Sequence, residues 1–158
     1  MSNSDTIFLA SSEPVDATAA WLVDALRLER VDDPDLREGQ HFLRGRARTA
    51  DGRVLLVVGP NVYGETDPEP EDVSAIDRYT AVVDVRIAGS RNEEAQAKEA
   101  RAVFDELAAL RPPIPLVLAT AMSLIVAAYL PDAGVHTFPP RTTLDADDID
   151  AWRPWVIN

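Results

Sequence analysis

The chain has 158 residues, of which 27 are acidic and 15 are basic, so its formal net charge is −12. That length fits one compact domain, and an apolar share of 46% lies in the globular range. The negative field repels phosphate and therefore argues against nucleic acids and anionic membrane surfaces as partners. Because the chain has no cysteine, disulfide frameworks, thiolate metal sites and cysteine nucleophiles are excluded.

A short apolar strand and an amphipathic helix open the chain. Residues 6–10 are predicted as a buried strand. Ser12 then offers a helix N-cap, Pro14 suits the first turn, and apolar side chains recur at helical spacing up to about Arg30. We expect the apolar face of this helix to pack on the sheet.

A strand rich in arginine and a hairpin follow. Alternation along the strand places three arginines on one face, namely Arg44, Arg46 and Arg48. Asp51-Gly52 predicts a two-residue turn into a partner strand over residues 53–58. The arginine face is expected to be a solvated sheet face, with Asp84 within reach for ion pairs, or alternatively a docking surface for a partner.

The long connection after this hairpin is acidic. Five carboxylates fall within eight residues, and they are Glu65, Asp67, Glu69, Glu71 and Asp72. Pro68 and Pro70 stiffen the segment in an extended form. It can be interpreted as a solvated charged loop or as a docking element for a basic partner.

The second half of the chain predicts a strand, a helix and a buried apolar unit. Residues 79–87 alternate as a strand, and Ser90 with Glu93 matches a helix capping box. The helix that follows has an apolar stripe ending at Leu110. The uncharged run over residues 112–131 is short and proline-broken for a membrane span, so it predicts a strand over 116–119 and a buried helix over 121–130.

The C-terminal residues predict an edge strand and a packed tail. The strand covers residues 135–138, and a final helical turn directs Ile149 and Trp152 inward. Four aspartates between residues 145 and 150 fail the pattern of a calcium loop, because its sixth position is Asp150 instead of glycine. We interpret these aspartates as helix-capping and solvated residues.

Together these elements predict an α+β fold with a largely antiparallel sheet in the order β-α-β-β-β-α-β-α. Two amphipathic helices are expected on one face of that sheet. The chain is predicted to be a single domain over residues 1–158, with residues 131–158 as a tail packed on it. The first residues lack the pattern of a secretory signal, which predicts a cytoplasmic location.

No motif in the sequence specifies a chemistry. The two histidines, His41 and His136, are far apart and outside any metal-binding spacing. The segment from Gly59 to Gly64 is neither type of phosphate-binding loop, and no serine stands in a nucleophile elbow. We therefore expect no catalytic residue, no metal and no cofactor.

The order of elements resembles small immunity proteins that accompany polymorphic, contact-delivered bacterial toxins, including the swarming-inhibition type. The resemblance spans about residues 5–130 and rests on the strand and helix over residues 7–26, the acidic loop over 67–72, the strand over 79–86 and the elements that follow. The resemblance assigns no functional residue of that family to a position in this sequence. It implies a protein that binds and blocks one cognate toxin in the cytoplasm of the producing cell.

The sequence thus favours a non-enzymatic, acidic protein-binding module. Its partner would be a protein, with a basic toxin as the leading candidate. The candidate binding residues are the five carboxylates of the acidic loop and the three arginines of the strand. One alternative is a small-ligand binder or a carboxylate-based enzyme, and another is a homodimeric structural subunit.

Overall fold

The computed structural model describes residues 5–121 and 123–157, in which one eight-stranded antiparallel sheet forms the centre. The strands lie in the order β2-β3-β4-β5-β1-β6-β7-β8. Their bounds are β1 Asp5–Leu9, β2 Glu29–Val31, β3 His41–Arg46, β4 Arg53–Pro60, β5 Ala81–Ile87, β6 Leu116–Thr120, β7 Leu124–Leu130 and β8 Gly134–Thr137. The predicted α+β class with a largely antiparallel sheet is confirmed.

In the described ranges, three α-helices and three short 3-10 turns accompany the sheet. The helices are α1 Val15–Leu26, α2 Glu93–Ala109 and the single turn α3 Ile149–Trp152. The 3-10 turns cover Pro70–Asp72, Ala146–Asp148 and Arg153–Trp155. Both long helices pack on the same face of the sheet, as predicted, since both contribute to one core cluster.

The core on the helix side is built from alternate strand residues. Leu43 of β3, Leu56 of β4 and Val83 of β5 are buried here, because side chains along a strand point to opposite faces in turn. Leu22 of α1 and Phe104 of α2 cover them. Burial of a side chain of this size contributes about 1.5–3 kcal/mol, so this layer supplies most of the apolar driving force.

The opposite face of the sheet is covered over only half of its width. Phe8 of β1 and Val117 of β6 are buried there beneath residues of the long connection and of the C-terminal segment. That covering layer contains Tyr79, Phe138 and Trp152, all of them buried. Among the described residues, this layer lies over β1, β6, β7 and the Val82 end of β5, and it leaves β2, β3, β4 and the Arg86 end of β5 uncovered.

The uncovered end forms what we call the bare half of the sheet. Register and alternation assign its outward residues, which are Glu29, Val31, Phe42, Arg44, Arg46, Arg53, Leu55, Val57, Asp84 and Arg86. The apolar members are only partly buried and belong to neither core cluster. One side of the molecule therefore has a step between a covered and a bare half.

The helix predicted over residues 121–130 is wrong, because residues 124–130 form strand β7. Ile125 and Ala128 face the covering layer, whereas Ala127 and Tyr129 face the helices. A strand buried on both faces is continuously apolar, so its sequence lacks the alternation that distinguishes it from a buried helix. The Tyr129 hydroxyl donates to the Pro112 carbonyl at 2.8 Å and fixes the strand end.

The predicted two-residue turn at Asp51-Gly52 is also wrong. Arg46 pairs with Arg53, so a six-residue loop over residues 47–52 joins β3 to β4. The loop is held by Glu99 of α2, a fully buried carboxylate that accepts from the backbone N–H groups of Arg48 and Thr49 at 2.8 and 2.9 Å. The loop thus bends toward the helices before the chain returns.

The helix limits differ from their predictions at four points. Helix α1 ends at Leu26, not near Arg30, because Arg27 adopts a left-handed conformation and β2 follows. Ser12 does not cap it. The α2 cap is Asn92, whose side chain accepts from the Ala95 N–H at 2.9 Å, so the predicted capping box starting at Ser90 is absent. The predicted apolar stripe of α2 ends one turn early, since Leu110 is exposed.

Within the described ranges, none of the helices has both the length and the apolar character needed to cross a membrane.

Candidate docking surface

The structure brings two acidic segments of the sequence together. The turn Pro70–Asp72 contacts the turn Ala146–Asp148. Ser74 and Asp145 form an antiparallel bridge, and the Ala75 N–H donates to the Leu144 carbonyl at 2.9 Å. We call the result the acidic surface, and its exposed carboxylates are Glu65, Asp67, Glu69, Glu71, Asp72, Asp145, Asp147 and Asp150.

Asn61 anchors the start of the long connection that carries most of this charge. Its side-chain amide donates to the carbonyls of Ile76 and Tyr79 at 3.0 and 2.7 Å. Its oxygen accepts from the Tyr63 N–H at 3.0 Å. One side chain therefore joins both ends of the connection, so the acidic residues protrude from an organised base.

Asp77 provides the second anchor. One of its carboxylate oxygens accepts from the Glu65 N–H at 3.2 Å and the other from the Ser74 N–H at 2.9 Å. Gly64 passes close beside it, since a Cβ at that position would lie 2.8 Å from the Asp77 carbonyl oxygen. The carboxylate of Asp77 thus shapes the loop and is less open to a partner than its exposed neighbours.

A groove of about 820 Å³ lies between the acidic loop and the C-terminal segment. Its walls include Glu65 and Asp67 on one side and Trp152 and Ile157 on the other, with Tyr79 between them. Burial raises the pKa of Tyr79, and the backbone N–H of Ile157 partly offsets that rise. The Tyr79 phenol is therefore protonated near neutral pH and acts as a structural contact of the groove.

Two large apolar side chains stand exposed beside the acidic surface. Val62 is 73% exposed and Tyr63 is 52% exposed, and both lie between the end of β4 and Glu65. Tyrosine is enriched among interface hot spots. This pair was not among the predicted site residues, although a Val-Tyr dipeptide between Asn61 and Gly64 indicates an apolar residue held in a turn.

Asp148 differs from the other aspartates of the C-terminal cluster. Its carboxylate accepts from the backbone N–H and the hydroxyl of Thr143 at 2.7 and 2.9 Å. These hydrogen bonds lower the pKa of Asp148. The predicted helix-capping role is wrong, since neither Asp145 nor Asp148 makes a side-chain cap hydrogen bond. Asp145, Asp147 and Asp150 are exposed, as the predicted solvation requires, and they extend the acidic surface.

The three candidate arginines do not form one row. Arg44 lies in the bare half and forms an ion pair with Glu29 of β2 at 2.7 Å. Asp84, the carboxylate expected within reach of the arginines, instead accepts a hydrogen bond from the Thr6 hydroxyl. Arg46 is exposed in the same half. Arg48 lies beyond the end of β3, so its predicted position on the arginine face is wrong.

Arg48 turns toward the helices because the β3–β4 loop bends that way. Its guanidinium pairs with Glu106 of α2 at 3.1 Å and also donates to the carbonyls of Leu26 and Arg46. These contacts use its donors within the fold. Arg48 therefore ties α1, α2 and the loop together instead of facing a partner.

Two arginines outside the predicted set complete the bare half. Arg53 lies opposite Arg46 and 3.5 Å from Glu29, and Arg86 lies opposite Leu55. Sequence reasoning missed both, because cross-strand neighbours depend on a register that the hairpin loop shifts. The bare half thus carries four arginines and two carboxylates.

Two carboxylates are buried on the helix side, far from the groove. Glu99 is fully enclosed by the donors of the β3–β4 loop. Asp5 lies at the start of β1, opposite Thr120 of β6. Burial raises the pKa of Asp5, the hydrogen bond to Thr120 opposes that rise, and the carboxylate of Glu93 adds to it.

Replacing Asp5 by asparagine is expected to stabilise the protein at pH 7. Because the pKa of Asp5 is raised above its ordinary value of 3.8, its favourable contribution is present below that value and is lost as the pH rises through the raised pKa. The neutral amide avoids that loss. Urea unfolding at pH 4, 5.5 and 7 should show an advantage of Asp5→Asn that narrows as the pH falls. The exposed Asp24→Asn serves as the control, and an Asp5→Asn variant less stable than the wild type at pH 7 would contradict the assignment.

The two histidines lie in separate places. The Nδ1 atom of His41 accepts a hydrogen bond from the Arg30 guanidinium at 3.1 Å. Its Nε2 atom lies 3.7 Å from a carboxylate oxygen of Asp16. His136 stacks on Trp155 with their ring centroids 4.1 Å apart. Among the described residues, no three His, Cys, Asp or Glu side chains are grouped so as to hold a metal ion.

The chain was compared with protein-family models, with curated proteins and with solved structures, and none of the three comparisons gave a match.

Proposed function

We propose that this protein is a non-enzymatic binding module that docks a basic protein on its acidic surface. The observation that carries the proposal is the junction of the two acidic segments through the bridge between Ser74 and Asp145. Opposite charge steers a basic partner toward this surface and raises the association rate. The exposed side chains of Val62 and Tyr63 supply apolar contact area beside the charge.

The finer part of the proposal is an immunity-type role. The partner would be a basic toxin that the module binds and neutralises in the cytoplasm of the producing cell. The support is the resemblance in element order together with a charged surface suited to specific recognition. Co-expression with the toxin candidate encoded by the adjacent gene tests it. Complex formation with loss of toxicity is expected, and the absence of both would overturn the proposal.

Neutralising the acidic loop should slow association with that partner. The variant replaces Glu65, Glu69 and Glu71 by glutamine and Asp67 and Asp72 by asparagine. We expect its association rate to fall at least about 10-fold at low salt and to converge with the wild type at high salt, because screening removes the steering term. Stopped-flow or biosensor kinetics at several salt concentrations provide the measurement.

A control variant with the same net charge separates local from general effects. It neutralises five exposed carboxylates outside the acidic surface, namely Glu13, Asp24, Asp51, Glu94 and Asp132. We expect a much smaller change in its association rate. Equal slowing by both variants would show that total charge, not the acidic surface, controls docking.

A second candidate function is small-ligand binding in the groove beside Trp152. The groove is within the size range of ligand sites, and Arg78 adds one cation to its acidic lining. A thermal-shift screen with small molecules separates this candidate from the first. Stabilisation by a compound, lost when Arg78 is replaced by alanine, would favour it over protein docking.

A further inference from the structure

The bare half of the sheet combines apolar and basic side chains, and none of the described residues forms a core layer over them. Its apolar residues are Val31, Phe42, Leu55 and Val57, all partly buried. Its arginines outnumber its carboxylates, and neither Arg46 nor Arg86 makes an ion pair with any residue that the structure describes. In a chain of net charge −12, this is a local surface of opposite sign.

The acidic surface lies next to the bare half on the same side of the sheet. Its supporting layer packs on Phe8 and Val82, which point away from the helices, as do Leu55 and Arg86. The connection leaves β4 at Pro60, passes through the exposed Val62 and Tyr63 and enters the acidic segment at Glu65. A raised acidic half and a recessed basic half are therefore joined by an exposed apolar pair.

We propose that the bare half is covered by the acidic surface of a second copy of this chain. A two-fold rotation places the acidic surface of each copy against the bare half of the other. Charge and shape are then complementary at both contacts. Stacking the two bare halves directly would oppose arginines to arginines, which favours the offset arrangement. The proposal does not rest on the proposed function, and it implies that the dimer and a basic partner compete for the acidic surface.

Charge reversal on either surface should weaken the dimer. Sedimentation equilibrium of the full chain near 0.15 M salt is expected to give about twice the monomer mass of 17.3 kDa at roughly 100 µM protein. Arg46→Glu with Arg86→Glu reverses the bare half, and Glu69→Lys with Glu71→Lys reverses the acidic surface. Each variant is expected to raise the dimer dissociation constant at least about 10-fold.

Mixing the two variants gives the sharpest test. In a mixed dimer both contacts again pair opposite charges, so an equimolar mixture should recover dimer that neither variant forms alone. The matched control for the arginine reversal is Arg91→Glu with Lys98→Glu, which lowers the net charge by the same amount at exposed positions beside and on α2 and should leave the dimer intact. Circular dichroism checks that each variant is folded.

The outcomes separate the arrangements. A wild-type monomer at every concentration would overturn the proposal, whatever the result of the toxin experiments. Dimers that survive both charge reversals would also overturn it, because the contact would then lie elsewhere. Failure of the mixture to recover dimer would overturn it too, because each surface would then pair with its own kind. A tested toxin that fails to bind leaves the mass measurements unaffected.

Discussion

Replacing Glu99 by alanine is expected to lower the free energy of unfolding by about 3 kcal/mol. The carboxylate is fully buried and accepts from the N–H groups of Arg48 and Thr49 and from the Thr49 hydroxyl at 2.7 Å. Alanine would leave these donors without their acceptor, and each unsatisfied buried donor costs about 1–3 kcal/mol. Because the loop edge reaches water, the total stays below the sum of the separate costs.

Urea unfolding and amide hydrogen exchange measure this effect. Exchange should accelerate at Arg48 and Thr49, since their N–H groups lose protection. Glu99→Gln keeps one acceptor oxygen and should fall between alanine and the wild type. Glu94→Ala, at an exposed position of the same helix, should change stability by about 0.5 kcal/mol or less. Equal stabilities for the two alanine variants would show that the loop is held by other contacts.

Replacing Trp152 by alanine should cost more, about 4 kcal/mol. The indole is only 2% exposed, and its N–H donates to the Asp145 carbonyl at 3.0 Å. It belongs to one buried cluster with Tyr79 of the covering layer and with Phe8 of β1 beneath that layer. Its loss would leave a large cavity and remove the hydrogen bond that positions the acidic segment after Leu144.

The control for this prediction is Trp155→Ala. Trp155 is partly buried and stacks on His136, so its loss should cost roughly 1–2 kcal/mol. Urea unfolding compares the two variants, and limited proteolysis should cut the C-terminal segment faster in Trp152→Ala alone. Similar losses in both would mean that the covering layer does not depend on the buried indole.

The sequence predicted the amphipathic elements and also the short strands β1 and β6, which are buried on both faces. In β5, Ala81, Val83 and Val85 face the helices, and in α2 the apolar stripe shows the expected helical spacing. Strand β7 was missed because burial on both faces removes the periodic signal and its apolar run is long enough to be interpreted as a buried helix. Local pattern therefore identified the amphipathic elements and the short apolar strands, and it failed where a longer apolar run fits either a strand or a helix.

The arrangement of the surface depended on contacts between distant residues. A glutamate on a helix is ordinarily assigned to solvent, and nothing near Glu99 in the chain indicates that Arg48 and Thr49 enclose it. The two acidic segments were recognised separately, but their junction requires the bridge between Ser74 and Asp145. The charged segments of the candidate site could therefore be predicted from the sequence, whereas the way they come together in space could not.

The central place of β1 has a consequence for how the chain reaches its fold. This strand is synthesised before both of its neighbours, since Ile7 lies opposite Val83 of β5 and Leu118 of β6. Closing such long loops is entropically costly, and folds dominated by distant pairings form slowly. On the ribosome, the middle of the sheet stays incomplete until residues 116–120 have emerged. Until then the apolar first strand has no permanent neighbour on that side, which makes the nascent chain a natural client for chaperones.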